Sequence, residues 1–219
     1  MSTSKSNLAG AAALVVGPLL ALIFAIVAPS VSDDAGDQVA ALGDHRSTVI
    51  FGLTLQTIAI VLLTAGTIWL AIVVARRAPR LGLWGGILGV FGSLVVLWED
   101  GVSAAMPAIA SGLGQAQATA VVDRVTSSAA ISGLEPVTTV SDIGLVLLAV
   151  AAVRSGAPRW AAIAFAVGSF VETAGFATGT RALLLVGFAL LVVGFAGVAR
   201  ALLGSPAAER VGEAGAVAA

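Results

Sequence analysis

The sequence predicts an all-α integral membrane protein, a bundle of six spanning helices with both termini in the cytoplasm. Two features of the composition predict this class: 58% of the residues are hydrophobic and only 11% are charged, and the mean hydropathy is +1.05. Soluble domains carry about 25% charged residues. Most segments of this chain are instead apolar on every side, as expected where lipid is the solvent. A third feature, the distribution of cations, predicts the topology.

Six apolar segments are long enough to cross a bilayer at about 1.5 Å per residue, which makes residues 1–203 one transmembrane domain. The alternative for the first segment is a secretory signal peptide with Lys5 as its basic region. That segment is longer than the usual hydrophobic region of roughly 7–15 residues, and Pro29 follows the small residue where cleavage would occur. We therefore interpret it as a retained span. The predicted spans are residues 8–28, 48–75, 81–98, 137–153, 160–178 and 182–203.

Two segments lie outside these spans. The longest connection, Gly101 to Pro136, includes the alanine- and valine-rich stretch Gln115–Ile131, whose apolar residues recur at loosely helical spacing. We interpret this stretch as a short extracytoplasmic helical segment between spans 3 and 4, either a cap on the bundle or a re-entrant segment. Residues 204–219 have no periodic apolar face, and they are predicted to form a disordered cytoplasmic tail.

The cations predict the orientation of the six spans. Basic residues concentrate at alternate connections, and the positive-inside rule assigns those connections to the cytoplasm. Trp69, Trp84 and Trp160 at the inner ends, and Trp98 at an outer end, are interpreted as interfacial anchors. The predicted cytoplasmic cations are Lys5, Arg76, Arg77, Arg80, Arg154, Arg159, Arg200 and Arg210, and the predicted outer cations are Arg46, Arg124 and Arg181.

Glu172 is the carboxylate placed deepest in a predicted span. It lies in the segment WAAIAFAVGSFVETAGFATG, Trp160–Gly179, about 18 Å from the start of that helix and past the midplane toward the outside. A charge at this depth costs several kcal/mol unless it is paired, protonated or facing water. Ser169 and Thr173 lie near it on the helix surface and make a partly polar stripe. This group is therefore the first candidate for function.

Asp142 is predicted to lie at a similar depth in the fourth span, with the adjacent acids at the end of span 3 above it. Together these groups would line an outward-opening polar pocket between spans 3, 4 and 5. A carboxyl group in low dielectric favours its neutral form and can carry a proton, while carboxylate oxygens also suit hard cations. In the structural alternative, a carboxylate pairs with Arg181 or with helix-end hydroxyls and holds helices together. The candidate substrate- or ion-binding residues are Glu172, Asp142, Glu99, Asp100, Arg181, Ser169 and Thr173.

The residue types present exclude several kinds of site. Cysteine is absent and His45 is the single histidine, which excludes thiolate metal sites and a haem held by two histidines of this chain. No spanning segment offers a histidine base for a serine nucleophile, and metalloprotease and phosphate-loop motifs are absent. No catalytic residue, metal or cofactor is therefore predicted.

His45 follows Asp44 and is interpreted as a solvated loop residue, with pH sensing as the alternative. A net charge of -1 without a basic stripe argues against nucleic acid as a partner.

Glycines recur at helical spacing in the predicted spans. Such small-residue faces allow close approach of two helices, and the pattern leaves open whether the helices belong to one chain or to two. The glycines concerned are Gly82, Gly85, Gly86, Gly89 and Gly92 in span 3, and more sparsely Gly175, Gly179, Gly187 and Gly194.

The layout of the chain resembles that of small multi-pass membrane proteins of GC-rich bacteria that are grouped in families of unassigned function. It has a short N-terminal lead, a span, an acidic outer loop that ends in DHRSTVIFG (Asp44–Gly52), a long span, a basic APR turn (residues 78–80) and four further spans. The resemblance implies a location in the bacterial inner (plasma) membrane, and it transfers no catalytic residue.

Two functions from different classes fit these observations. The leading hypothesis is a small transporter or an ion- or proton-coupled permeation protein that uses Glu172 and Asp142 on a small molecule or an ion. The alternative is a non-catalytic scaffold or sensory subunit whose outer loops or glycine faces bind a partner subunit or a second copy. A membrane enzyme acting on lipid is less favoured, because the spans contain no nucleophile–base pair.

Overall fold

The computed structural model describes residues 5–27, 35–110, 112–128 and 135–204, and within these ranges the chain forms helices joined by turns, with no strand. The all-α prediction is therefore confirmed. Residues 205–219 of the predicted tail lie outside the described residues. The helices are α1 (Lys5–Val27), α2 (Ala35–Asp44), α3 (Arg46–Ala75), α4 (Pro79–Ala110), α5 (Gln115–Thr126), α6 (Glu135–Arg154), α7 (Arg159–Ala177) and α8 (Arg181–Leu203).

Five of these helices are long and apolar enough to cross a membrane. They are α1, α3, the Pro79–Met106 part of α4, α7 and α8. The backbone N–H and C=O groups of a helix are paired within the helix itself, which is the condition for stability in hydrocarbon. This architecture is compatible with a multi-pass membrane protein. The sixth long helix, α6, has 20 residues and packs against α4 on one side and α7 on the other.

The six long helices form a closed ring. Each packs against the next along the chain, in the order α1, α3, α4, α6, α7 and α8, and α8 returns to α1. Neighbours are antiparallel, as the contacts of α4 with α6 show: Gly85 lies against Leu148, and Gly92 lies against Ser141. Short connections between long helices favour this arrangement. The ring therefore has two chemically different ends.

We call these the basic end and the acidic end. The basic end carries the first residue of α1, the last residues of α8, and the turns that join α3 to α4 and α6 to α7. At the acidic end, the short helices α2 and α5 pack against each other, and they also contact α3 and α4. The described cations of the basic end are Lys5, Arg76, Arg77, Arg80, Arg154, Arg159 and Arg200, and those of the acidic end are Arg46, Arg124 and Arg181.

The half of the ring nearer the basic end is filled by large apolar side chains. Phe165 of α7 and Phe195 of α8 stack with their ring centroids 4.7 Å apart. Leu70, Val73 and Leu148 are buried in the same cluster, contributed by α3 and α6. Close packing of this kind leaves no room for water between the helices. We call these five residues the apolar layer.

The third span was predicted too short. It was expected to end at Trp98, but α4 continues without interruption to Ala110. The acidic pair after Trp98 ends the hydrophobic run, yet a helix ends only where its backbone hydrogen bonds end. Alanine and methionine in the following stretch favour helix. The polarity of Glu99 and Asp100 therefore marks a change of surroundings along one continuous helix.

The acidic segment before span 2 contains a helix that was not predicted. Ala35–Asp44 forms α2, which carries Asp37 in its first turn, where an acid interacts favourably with the helix dipole. Asp33 and Asp34 lie outside the described residues.

The predicted helical segment between spans 3 and 4 is present as α5, Gln115–Thr126, with Ala118 and Val122 buried, while residues 129–131 lie outside the described residues.

Trp69 does not occupy the surface position that was expected of an interfacial anchor. It is buried, its indole packs where a side chain at Gly10 would lie, and its Nε1 donates a 3.3 Å hydrogen bond to Oδ1 of Asn7. A buried indole N–H requires such a partner. Trp84, Trp98 and Trp160 are exposed on the surface of the bundle, as the interfacial interpretation requires.

The glycine faces pack within the chain. Added side-chain atoms at Gly85, Gly92 or Gly144 would collide with the facing helix at the α4–α6 contact, and Gly187 of α8 lies directly against the backbone of Glu172 in α7. The close approach that the spacing predicted is confirmed, and it joins helices of a single chain. These faces are therefore occupied and not free for a partner.

We expect Gly17→Ala to destabilise the protein. A Cβ at Gly17 would lie 2.7 Å from the backbone nitrogen of Leu63 and 2.9 Å from the carbonyl oxygen of Ala59, so two backbones must separate, at a cost of about 1–3 kcal/mol. Gly101→Ala is the matched control, because nothing lies within 4 Å of its Cβ position and alanine is the better helix former. Thermal unfolding in detergent, followed by tryptophan fluorescence, should show a lower midpoint for Gly17→Ala alone.

Candidate functional site

Asp142 is the centre of the polar cluster inside the ring. It lies on α6, is only 3% exposed, and accepts hydrogen bonds on both carboxyl oxygens. Ser169 of α7 donates to Oδ1, and Thr173 of α7 donates to Oδ2 over 3.0 Å. Ser169 and Thr173 are four residues apart and so share one face of α7. The two hydroxyls hold the carboxyl group in one orientation and join α6 to α7.

Glu172 lies next to this group on α7. It is half-buried, and its backbone nitrogen would be 2.5 Å from a Cβ at Gly187 of α8. Only glycine at that position allows α8 to approach so closely. The carboxyl groups of Glu172 and Asp142 interact electrostatically. Two acids from adjacent helices thus share one site inside the bundle.

Hydroxyl groups of α4 and α6 extend the cluster to the next helix pair. Ser93 of α4 is buried and donates to the carbonyl oxygen of Gly89 over 2.9 Å. Ser141, the neighbour of Asp142, donates to the same carbonyl oxygen over 3.4 Å. Thr67 of α3 is also buried, and its methyl group would be 3.2 Å from a Cβ at Gly89. These polar side chains converge at one level of the ring.

The cluster lies nearer the acidic end than the basic end. Counting along α6 from Arg154, Asp142 is about 18 Å from the basic end at 1.5 Å per residue. The apolar layer, with its stacked phenylalanines, fills the bundle between these two levels. Toward the acidic end, α6 begins at Glu135, only about 10 Å away on the same scale. Asp142 is therefore nearer to the acidic end of α6 than to its basic end.

Asp100 forms a second buried acidic position. It is 7% exposed, and its Oδ2 atom has no hydrogen-bond partner among the described residues. Asp100 follows Ser93 by seven residues and so lies on the same face of α4, about 10 Å closer to the acidic end. Glu99 beside it is half-buried. The predicted site residues on α4 thus lie more than two helical turns from the level of Asp142, toward the acidic end.

Arg181 is not the counter-ion of the carboxyl pair. Its Nε donates to the carbonyl oxygen of Ala25 over 3.0 Å, and its Nη2 donates to that of Ile26. Both acceptors belong to the last turn of α1, where carbonyl groups lack partners within the helix and a cation is favourable. Arg181 therefore joins the start of α8 to the end of α1. The hydrogen bonds of Arg181 thus give no support to pairing with Glu172 or Asp142, whereas the hydrogen bonds of Ser169 and Thr173 to Asp142 are those that the hydroxyl form of the structural alternative expects.

The structure places the predicted site residues in two different locations. Asp142, Glu172, Ser169 and Thr173 come together at one level, whereas the others lie elsewhere at the acidic end. His45 is exposed immediately before α3, apart from the cluster. Sequence reasoning did not select Ser93 or Ser141 as individual site residues. Their signal was the small-residue spacing of α4, which places the serines where α4 and α6 touch.

The chemistry open to this cluster follows from its residue types. It has two carboxyl groups and two hydroxyl donors, and no Lys, Arg or His of the described residues makes an ion pair with either acid. Two carboxylates in such surroundings repel each other, so that binding of a proton or a cation lowers the energy of the site. Among the described residues, no group of three or more His, Asp or Glu side chains is arranged to hold a metal ion. The two carboxyl groups can therefore bind a proton or a cation.

Comparison with known proteins adds no family to this description. No family model matches the chain, and neither a curated protein nor a solved structure matches it.

Proposed function

We propose that this chain is a six-span inner-membrane transport protein that binds a proton or a small cation at the Asp142–Glu172 pair and couples that binding to transport. One observation carries the proposal: a buried carboxyl group, oriented by two hydroxyls, interacts electrostatically with a second acid, and no cationic side chain of the described residues forms an ion pair with either. Intramembrane acids of this kind are costly, and they commonly mark proton relays and ion pathways.

The proposed topology takes α6 as the sixth span. α6 is as long as α7 and closes the ring between α4 and α7, so that both faces of the helix have neighbours in the bundle. The concentration of cations at one end then assigns the basic end and both termini to the cytoplasm by the positive-inside rule. In this orientation the acidic end, with α2 and α5, is extracytoplasmic.

The proposed mechanism follows from the unequal halves of the ring. A proton or cation reaches Asp142 and Glu172 from the acidic end, because the polar side chains lie on that side. Binding of the proton or cation removes the repulsion between the two carboxylates. The helices α6 and α7 can then move relative to each other without the energetic cost of exposing a carboxylate charge. Release toward the cytoplasm requires the apolar layer to open, which makes Phe165 and Phe195 the inner barrier.

The scaffold or sensory hypothesis remains the alternative for the outer surface. Since the glycine faces are occupied within the chain, a partner would bind α2 and α5 at the acidic end. A partner of this kind would co-purify in stoichiometric amount, and its binding would not depend on Asp142.

The test is proton uptake by vesicles that contain the purified protein and a pH-sensitive dye. We expect Asp142→Asn to abolish uptake driven by a potassium diffusion potential, because the amide cannot take up the proton. Asp123→Asn is the control, since Asp123 is exposed on α5 and lies outside the cluster. Equal uptake by wild type, Asp142→Asn and empty vesicles would exclude the proposal, and replacing sodium by choline would separate proton from sodium binding.

A further inference from the structure

We infer that Asp100 is a second, separate proton-binding site, through which protons from the acidic end reach the Asp142–Glu172 pair. The inference rests on the proposed function and adds an access route to it. It concerns a carboxyl group that the hydrogen bonds of the inner cluster do not involve.

The burial of Asp100 is the first observation. This side chain is 7% exposed, and Oδ2 is enclosed without a hydrogen-bond partner in the described part of the chain. A buried ionised oxygen without a partner is strongly unfavourable, whereas the protonated acid or the acid bound to a passing water is tolerated. The unpaired Oδ2 atom of Asp100 therefore indicates a ligand that binds reversibly, and the smallest such ligand is a proton.

The placement of Asp100 is the second observation. Gly85, Gly89 and Gly92 of α4 contact Leu148, Gly144 and Ser141 of α6 in antiparallel order. Continuing this register, the face of α4 that carries Ser93 and Asp100 passes the first residues of α6. Asp100 is buried on the same face of α4 as Ser93, and it lies between the acidic end and the level of Ser93 and Ser141.

The step between the two sites crosses about 10 Å along α4, from Asp100 to Ser93, and therefore includes water between these side chains. The protonated carboxyl of Asp100 loses its proton to the hydroxyls and water at the level of Ser93 and Ser141, and the carboxylate of the inner pair gains one proton. Ser93 and Ser141 both donate to the carbonyl oxygen of Gly89, so their oxygens remain able to accept. No other reactant is required, because one proton leaves one carboxyl group and joins another.

In the part of the chain that the structure describes, no charged group is hydrogen-bonded to the enclosed oxygen of Asp100. Glu99 is the neighbour of Asp100 in sequence and repels its carboxylate electrostatically. The charged residues of α5 lie at exposed positions. On α3, the residues that follow Arg46 to the end of the helix are uncharged. The charged residues on the elements that pack against α4 are Arg46, Asp123, Arg124, Glu135, Asp142 and Arg154.

The experiment compares Asp100→Asn with Asp142→Asn and with the exposed control Asp123→Asn, in vesicles and by infrared spectroscopy. We expect Asp100→Asn to lower the rate of proton uptake by about a hundredfold, the lower range of what a positioned proton-transfer group contributes. Infrared difference spectra between acidic and alkaline buffer should lose one protonated-carboxyl C=O component in Asp100→Asn, and a different component in Asp142→Asn. Asp123→Asn should retain the wild-type rate and both components.

Each outcome separates the inference from the function on which it rests. Wild-type uptake by Asp100→Asn together with loss of uptake in Asp142→Asn would overturn the access route and leave the proposed function standing. No uptake by the wild type would overturn both. If Asp100→Asn does not fold, Asp100→Leu provides the second variant, since an apolar side chain requires no partner in the bundle. A folded Asp100→Leu protein with wild-type uptake would equally overturn the inference.

Discussion

Glu172→Gln is expected to abolish proton uptake while leaving the fold intact. The substitution keeps the size of the side chain and removes its charge, so the close contact of the Glu172 backbone with α8 at Gly187 is preserved. The substitution removes one of the two carboxyl groups that can take up a proton, together with its electrostatic interaction with Asp142. Uptake by reconstituted vesicles should fall by a hundredfold or more, as for the loss of a positioned proton-transfer group.

Arg181→Ala distinguishes this function from a structural role of Glu172. If Glu172 served to pair with Arg181, both variants would fail to fold in the same way. The hydrogen bonds of Arg181 to Ala25 and Ile26 predict a different result: Arg181→Ala should loosen the α1–α8 contact and lower the thermal midpoint, because two carbonyls of α1 lose their charged donor. It should retain uptake when assayed below that midpoint. Parallel misfolding of Glu172→Gln and Arg181→Ala would argue for structural pairing.

Phe195→Ala is expected to have the largest effect on stability. Phe195 is fully buried and stacks on Phe165 in the apolar layer, and removal of its ring leaves a cavity between α7 and α8. Phe-to-Ala substitutions in packed interiors cost about 3–5 kcal/mol. In a membrane the lost term is mainly packing, because lipid solvates apolar groups as well as the bundle does. The midpoint of thermal unfolding in detergent should fall markedly.

The matched control for this variant is Phe91→Ala. Phe91 lies on the outer surface of α4 and is 53% exposed, so its removal opens no cavity, and the midpoint should change little. Equal destabilisation by the two substitutions would contradict the role of the apolar layer. Phe195→Ala should also raise the passive proton leak of vesicles, since the barrier between the carboxyl pair and the basic end is thinned. A leak unchanged from wild type would place the barrier elsewhere.

Much of the helical architecture followed from hydropathy. The apolar segments predicted the spanning helices, because a segment that is apolar on all sides can be solvated only by lipid or by other helices. Their ends were predicted within a few residues except in α4, where Glu99 and Asp100 end the apolar run but not the helix. Polarity reports the surroundings of a residue, whereas a helix ends where its backbone hydrogen bonds end. The helix α2 was missed for the same reason.

The residues of the site could be selected from the sequence, but their partners could not. Glu172 and Asp142 stand out because a carboxylate in an apolar segment is rare and costly, and Ser169 and Thr173 follow from helical spacing. Arg181 was the expected counter-ion on the grounds of proximity along the chain. The closed ring brings the end of α1 next to the start of α8, so that the carbonyls of Ala25 and Ile26 receive the guanidinium instead.

The sequence by itself determined that the described part of this protein is helical, that several of its helices are apolar enough to cross a membrane, and that its acids lie toward one end. These properties depend on residue type and on the order of residues along the chain. Only the tertiary structure decided that Asp142 is held by Ser169 and Thr173, that Asp100 is buried with one oxygen lacking a hydrogen-bond partner among the described residues, and that Arg181 binds α1. Such contacts depend on which helix faces are neighbours, and this is set by the packing of glycines and large side chains around the ring.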